Sequence, residues 1–279
     1  PEQLEATASL DEAVSGADVL VMGVPSHGMR ATLRDLAPYV RPWVPVVSLA
    51  KGLEEGTHLR MTEVISEELP GHPMGVLTGP NLAQEILSGH AAATVVAFSD
   101  EHIVRELQRI FSGERFRVYT NPDVVGCEVG GALKNVVAIA SGMADGLGTG
   151  DNTRAAVITR GLAELSRLGL AMGGQLMTFA GLAGMGDLIA TCISRQSRNR
   201  YVGEQLGKGR SIDEIVAEMK MVAEGVKTSK VVVEVAERYG VEMPIAQQVH
   251  AVIHQGRPAS EAYRGLLRRS STSEMHGMG

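Results

Sequence analysis

The stretch RFRVYTNPDVVGCEVGGALKNVVAIASGMADGL, residues 115–147, decides the architecture. Its first six residues read as a short strand. Asn121-Pro122 closes that strand, and 123–147 reads as one long helix. Upstream of this point strands recur; downstream the strand signals stop. The apolar runs 18–23 (DVLVMG), 45–50 (PVVSLA), 74–78 (MGVLT) and 92–98 (AATVVAF) read as buried strands. Helical periodicity fills the gaps. Segment 29–40 carries Leu33, Leu36 and Val40 on one side; 58–69 carries Met61, Val64, Ile65 and Leu69; 101–111 carries Ile103, Leu107 and Phe111. This alternation predicts βαβ units and a largely parallel sheet, and the uninterrupted apolar strands predict a sheet covered on both faces. Further on, 152–172 (Ala156, Ile158, Leu162), 224–239 and 244–255 read as helices, with Gly240 ending the second of these. Ser211-Ile212-Asp213-Glu214 is a capping box that starts another. The tail from Arg268 is polar and expected to fray. The division is therefore an α/β domain over 1–121 and an all-helical domain over 122–279.

Composition narrows the function. A chain of 279 residues with 44% hydrophobic side chains can build two cores, and 21% charged residues exclude wholesale disorder. Lys plus Arg number 26 against 32 Asp plus Glu, a net charge of −6, which argues against sequence-independent nucleic-acid binding. Cys127 and Cys192 cannot form a disulfide framework, so a reducing, cytoplasmic compartment is expected. Residues 1–20 include acidic side chains and no apolar core, so no signal peptide is expected. Residues 176–193 (LMTFAGLAGMGDLIATCI) reach the lower length limit of a membrane helix. Asp187 near their middle would cost ~2.5–3.5 kcal/mol there. A buried helix of a soluble domain is expected instead, with no membrane insertion.

Three segments carry chemistry. Lys134 is the sole charge in VGGALKNVVAIASGMA, 129–144, and Gly130, Gly131 and Ala132 before it allow close approach of a backbone or ligand. The plain reading is a lysine that snorkels from a half-buried helix. The sharper one is a partly buried ammonium in a cleft, its pKa lowered, serving as general acid or base. Asp187 is the lone acid of its apolar stretch and needs a partner. Lys134 is available; a structural ion pair or a helix cap after Gly186 is the plain alternative. Ser194-Arg195-Gln196-Ser197-Arg198-Asn199-Arg200 sets three guanidiniums among hydroxyls and amides at a helix start, an anion site unless it is a solvated loop. Val24-Pro25-Ser26, Lys51-Gly52 and Gly79-Pro80-Asn81 follow three strands, at the carboxyl ends where parallel sheets bind ligands. The eight histidines are scattered, with no metal-ligand spacing, and no metal site is expected. Neither G-x-S-x-G, Walker A, H-E-x-x-H nor G-x-G-x-x-G occurs. Fourteen of the 33 glycines fall between Gly126 and Gly186, which reads as close helix packing around Lys134 and Asp187.

Together VPSHGMR (24–30), LAKGLE (49–54), LTGPNLAQEI (77–86), EVGGALKNVVAIASGMADGLG (128–148), NTRAAVITRGLAE (152–164), FAGLAGMGDLIATC (179–192), SRNRYVGEQLGKG (197–209) and VAEGVKTSK (222–230) closely resemble bacterial NAD(P)-dependent glycerol-3-phosphate dehydrogenase, over nearly the whole chain. The resemblance implies a Rossmann-like α/β parallel-sheet domain followed by an all-α C-terminal domain. It implies NAD or NADP as cofactor and a small phosphorylated three-carbon substrate: dihydroxyacetone phosphate is reduced to sn-glycerol 3-phosphate, which feeds glycerophospholipid synthesis. By the same resemblance Lys134 and Asp187 are catalytic. Lys51, Gly79, Asn81, Thr191, Ser197, Arg198 and Asn199 are substrate-side. Pro25, Lys51, Ala83, Arg198, Val222 and Glu224 are cofactor-side. The family begins with a strand, a Gly-rich turn, a helix and a second strand ahead of 18–23; about fifty residues, more than the ~30 of one βαβ unit, do not appear here. The sheet domain is thus expected to be N-terminally incomplete, as a fragment or a natural truncation, and this chain alone to bind dinucleotide weakly or not at all. Two alternatives stand beside this reading. One is another lysine-dependent two-domain dehydrogenase of the hydroxyacid or 6-phosphogluconate type; the other is a non-catalytic binding or assembly fragment. Exposed apolar faces on the last helices would suit a homodimer.

Overall fold

The computed structural model describes residues 4–219 and 223–268. Five strands, β1 (Leu20–Met22), β2 (Val46–Ser48), β3 (Met74–Thr78), β4 (Ala92–Phe98) and β5 (Phe116–Asn121), form one sheet in that order. Around it lie α1 (Leu10–Val14), α2 (Met29–Leu36), α3 (Met61–Glu68), α4 (Ala83–Leu87) and α5 (Glu101–Phe111). The rest is helical: α6 (Val124–Gly146), α7 (Asp151–Ala171), α8 (Leu176–Ala180), α9 (Asp187–Ile193), α10 (Arg198–Gly207), α11 (Ile212–Glu218), α12 (Glu224–Tyr239), α13 (Pro244–His254) and α14 (Ala259–Leu267). This is the Rossmann-like sheet followed by helices that the sequence predicts. The frayed tail expected beyond Arg268 lies outside the described residues.

Three of the four pairings are parallel; β3 and β4 run antiparallel, with Thr78 opposite Val95. The cause is α4. Five helical residues climb only ~8 Å, too little to carry the chain back along the sheet for a parallel return. The reversal matters, because it brings the start of β4, with Thr94, to the carboxyl end of β3. Elsewhere local chemistry trims the expected helices. Pro38 cannot donate a helical hydrogen bond, so α2 stops at Leu36 and a 3-10 turn follows. His58 has φ 64, so α3 starts only at Met61.

Both faces of the sheet are covered. Leu20, Met22 and Val46 pack against Met29 and Leu33 of α2 and Val64 and Ile65 of α3. On the other face Val47, Val96, Phe98 and Val118 meet Val104 and Leu107 of α5. Val76, Val95 and Ala97 meet Cys127 of α6, which joins the sheet to the helices.

α6 is the axis of the helical part. Among the described residues it is the one helix long and apolar enough to cross a membrane, and 89% of its apolar window is buried inside the protein. The glycine excess is close packing only in part, since Gly148, Gly150 and Gly173 sit in open turns with positive φ. Gly142 and Gly146 of α6 face Gly203 and Gly207 of α10, and a methyl at any of them would run into the partner helix's backbone. Close approach, rather than flexibility, is what these four positions require.

The apolar stretch 176–193 is not a single buried helix. Gly181, Gly184 and Gly186 break it into α8, a π turn over Leu182–Gly186, and α9. One side is buried; Met177, Met185, Ile189 and Ile193 are exposed.

Candidate functional site

The carboxyl ends of β1, β2 and β3 open toward the middle of α6, the π turn and the first turns of α9, α10 and α12. There the structure joins the two lone charges of the sequence. Lys134, 5% exposed, donates to Asp187 Oδ1 at 2.7 Å and to Thr191 Oγ1 at 2.6 Å. Thr191 in turn donates to the Asp187 carbonyl, one helical turn back along α9, at 2.6 Å. Gly130 allows this geometry: its missing side chain admits the Ala183 carbonyl of the π turn, so Asp187 can reach Lys134.

A second ammonium shares the carboxylate. Lys51, just past β2, donates to Asp187 Oδ2 at 2.6 Å and to the Gly79 carbonyl at 2.9 Å. Asp187 therefore holds one lysine on each oxygen, with Lys134 buried and Lys51 half-buried. Burial lowers the Lys134 pKa to about 8; repulsion from Lys51 adds to the fall, while attraction to Asp187 opposes it. Such an amine can give up and regain a proton near neutral pH.

Around this trio runs an amide network. Asn135 Nδ2 donates to the Lys51 carbonyl at 3.3 Å, and Asn135 Oδ1 accepts from Asn199 Nδ2 at 2.9 Å. Asn199 Oδ1 accepts from the Gly225 backbone N–H at 3.0 Å, which ties α10 to the start of α12. Glu224, directly before Gly225, is pushed toward its neutral form by burial, against the attraction of Arg198, Lys134, Lys51 and His27. On the sheet side Asn81 Nδ2 donates to Thr94 Oγ1 at 2.9 Å, while Asn81 Oδ1 and Thr78 Oγ1 are buried without a partner among the described residues. Gly79 has φ 137 and packs on Thr94, a conformation and a space that suit glycine.

The predicted residues are not all brought together in the same sense. Lys51, Gly79, Lys134, Asp187, Thr191 and Asn199 share one hydrogen-bonded cluster, with Asn81 at its rim. The three guanidiniums of 194–200 separate. Arg200 is held by Asp145 at 2.8 Å, while Arg195 and Arg198 are both exposed, and Arg198 attracts the Glu224 carboxyl. The anion site expected from three arginines thus narrows, because Asp145 already neutralises Arg200. Ser197 is the N-cap of α10, accepting from the Arg200 N–H at 3.2 Å, so its hydroxyl already has a structural task. Pro25 and Ala83 are exposed, Pro25 ahead of a 3-10 turn and Ala83 at the start of α4. Val222 lies outside the described residues.

Sequence reasoning passed over Asn135, Thr78 and the buried Glu128. Asn135 could have been found, since it is a polar side chain in the same apolar helix as Lys134. Thr78 ends a strand and gives no signal until β4 reverses beside it.

Comparison with known proteins follows the same lines. Residues 1–104 match the family model described as NAD-dependent glycerol-3-phosphate dehydrogenase N-terminus, and residues 123–264 match the corresponding C-terminus. Glycerol-3-phosphate dehydrogenase (NAD(P)+) 2 of Sphingopyxis alaskensis is 59% identical over 276 residues, 99% of this chain and 83% of the relative. The Mycobacterium avium protein of the same name is 57% identical, over 100% of this chain and 82% of its own length. The crystal structure of glycerol-3-phosphate dehydrogenase from Coxiella burnetii superposes with a TM-score of 0.93 at 37% identity, covering 96% of this chain and 82% of that one. D-mandelate dehydrogenase, at 10% identity and TM-score 0.53, shares the fold alone.

Proposed function

Because the chain belongs to the NAD-dependent glycerol-3-phosphate dehydrogenase family, we propose that its buried Lys134 is the proton donor in the reduction of dihydroxyacetone phosphate to sn-glycerol 3-phosphate. The protein is an NAD(P)-dependent oxidoreductase, using NAD or NADP. The hydroxyacid-type alternative is not favoured, since such neighbours share only the fold; nor is a purely non-catalytic role, since relatives along nearly the whole chain are named as this enzyme.

The observation that carries the assignment is the Lys134–Asp187–Thr191 contact at the strand ends. The nicotinamide, when bound, supplies the hydride to the carbonyl carbon. Lys134 Nζ supplies the proton to the carbonyl oxygen and becomes a neutral amine, which solvent reprotonates. Asp187 and Thr191 aim the ammonium and stabilise its charge before transfer. Lys51 places a second positive charge beside the developing alkoxide. Arg198, with Asn199 and the N-terminus of α10, binds the phosphate. Gly79 and Asn81 line the substrate side.

What supports a nicotinamide beside this cluster is the pair of orphaned polar atoms, Thr78 Oγ1 and Asn81 Oδ1. Each requires a polar partner that the described residues do not supply, and a carboxamide or hydroxyl supplies one. Pro25, Ala83 and Glu224 complete the cofactor side. No residue is assigned to the pyrophosphate, since the sequence holds no G-x-G-x-x-G.

The division at 121/122 is proposed as the boundary between a cofactor domain and a substrate domain; β5 ends at Asn121 and α6 begins at Val124. Two buried free cysteines suit a cytoplasmic enzyme. A homodimer through the exposed Met177, Met185, Ile189 and Ile193 of α8 and α9 replaces the last helices expected for that role, where Tyr239 and Leu267 are the large apolar side chains exposed among the described residues. Size-exclusion chromatography with light scattering tests it, and a monomer at micromolar concentration refutes it.

Lys134→Ala tests the central assignment. Turnover of dihydroxyacetone phosphate, followed by loss of reduced-nicotinamide absorbance, should fall by about 10²–10⁴. A loss below tenfold would remove Lys134 from the role.

A further inference from the structure

Glu128 is among the most buried carboxylates of the chain, six residues before Lys134 on α6, and the mechanism above makes no use of it. Its side chain is 5% exposed and accepts three hydrogen bonds, all from one place. The Thr62 N–H reaches Oε1 at 2.8 Å, while Thr62 Oγ1 and Arg60 Nη1 each reach Oε2 at 2.5 Å. Arg60 and Thr62 mark the start of α3, so a carboxylate from the helical part caps a helix of the sheet part.

The loop that ends at Arg60 is the loop that begins at Lys51. It is stiff. Leu53 and Arg60 pair as an antiparallel bridge, the Glu54 N–H donates to the Leu59 carbonyl at 2.8 Å, and Leu53 is buried in the core of the helical part. α6 grips both roots of this loop. Glu128 holds Arg60 and Thr62, and seven residues on, Asn135 holds the Lys51 carbonyl at 3.3 Å. Seven residues are about two turns, so both sit on one stripe of the helix. Gly131 lies between them on that stripe, and the Lys51 methylenes and Thr78 Oγ1 pass over it.

Building on the proposed role of Lys51, we infer that Glu128 is a positioning residue: by anchoring Arg60 and Thr62 to α6, it sets where the Lys51 ammonium stands over Asp187. The contact acts on the reaction through the loop, at the distance between Lys51 and Lys134, and Glu128 itself touches neither substrate nor cofactor.

A mutant cycle and a labelling experiment test this in the intact protein. Glu128→Gln keeps the shape and removes the charge that holds Arg60. It should lower kcat/KM for dihydroxyacetone phosphate by about ten- to a hundredfold, the usual effect of an ångström-scale misplacement. In a Lys51→Met background the same substitution should cost less than about threefold, because the group it positions is gone. Equal losses in both backgrounds would show a general packing role and overturn the inference, as would no loss in either. Peptide-resolved acetylation by acetic anhydride needs no activity. In Glu128→Gln, Lys51 should label several times faster than in the parent, with Lys208 unchanged. An unchanged Lys51 rate overturns the inference even if the parent enzyme acts on another substrate, whereas an inactive parent with faster Lys51 labelling refutes only the proposed reaction. Should Glu128→Gln fail to fold, Thr62→Val removes one of the three bonds, retains the ion pair, and is read by the same cycle and labelling.

Discussion

Replacing Asp187 by Asn should move the pH dependence of the enzyme in a direction that can be worked out from the contacts. In the parent Lys134 has a pKa of about 8, held up against burial by the carboxylate 2.7 Å away and pushed down by Lys51. An opposite charge at such range typically shifts a pKa by about 1–3 units. Removing it, at about 2 units, brings Lys134 down to roughly 6. At about pH 7.5 the protonated fraction then drops from roughly three quarters to roughly 3%, a loss of about 25-fold in proton donor. At about pH 6 half the lysines regain the proton, and the loss should shrink to about twofold. The assay is kcat for dihydroxyacetone phosphate reduction from pH 5.5 to 9 in constant-ionic-strength buffer, with thermal unfolding as a check that the variant is folded. The alkaline limb of the variant should lie about 2 pH units lower than in the parent. In glycerol 3-phosphate oxidation, where the amine must accept a proton, the acid limb should move down by the same amount. If both limbs stay in place while activity falls uniformly, Asp187 does not set the protonation of Lys134 and the argument fails. Adding Lys51→Met to Asp187→Asn removes the remaining repulsion and should move the limb partly back.

Three other outcomes follow from separate parts of the structure. Arg198→Ala should raise KM for dihydroxyacetone phosphate at least tenfold while leaving an unphosphorylated ketone unaffected; parallel changes for both substrates would take the phosphate away from Arg198. Gly142→Ala forces a methyl against the Arg200 carbonyl and should cost about 1–3 kcal/mol in urea unfolding; a change under about 0.5 kcal/mol would mean that α6 and α10 can separate freely. Glu164 of α7 accepts from the Ile245 and Ala246 N–H groups of α13, and burial raises its pKa from 4.5 to about 7. The folded protein therefore binds this proton more tightly than the unfolded chain, and stability should decline as pH climbs from about 4.5 to about 7. Glu164→Gln should flatten that decline, and urea midpoints at pH 5 and pH 8 that fall equally in both proteins would contradict it.

Sequence alone determined the two-part architecture, because strand and helix periods are local and the change of period at Asn121-Pro122 is abrupt. It also singled out Lys134 and Asp187, since a single charge in a long apolar segment must either snorkel to water or find a partner. Tertiary structure decided the rest, wherever the deciding contact joins residues far apart in sequence. Which lysine Asp187 serves was such a question: it serves two, because the β2 end carries Lys51 to the oxygen that Lys134 leaves open. How the three arginines of 194–200 divide was another: Asp145 at the far end of α6 claims Arg200, while Arg195 and Arg198 stay exposed. The orphaned hydroxyl of Thr78 and the grip of Glu128 on α3 have no local pattern at all. They arise from the reversal of β4 and the passage of α6 across the sheet, and a chain of residue types does not encode which distant backbone will lie beside a given side chain until packing chooses it.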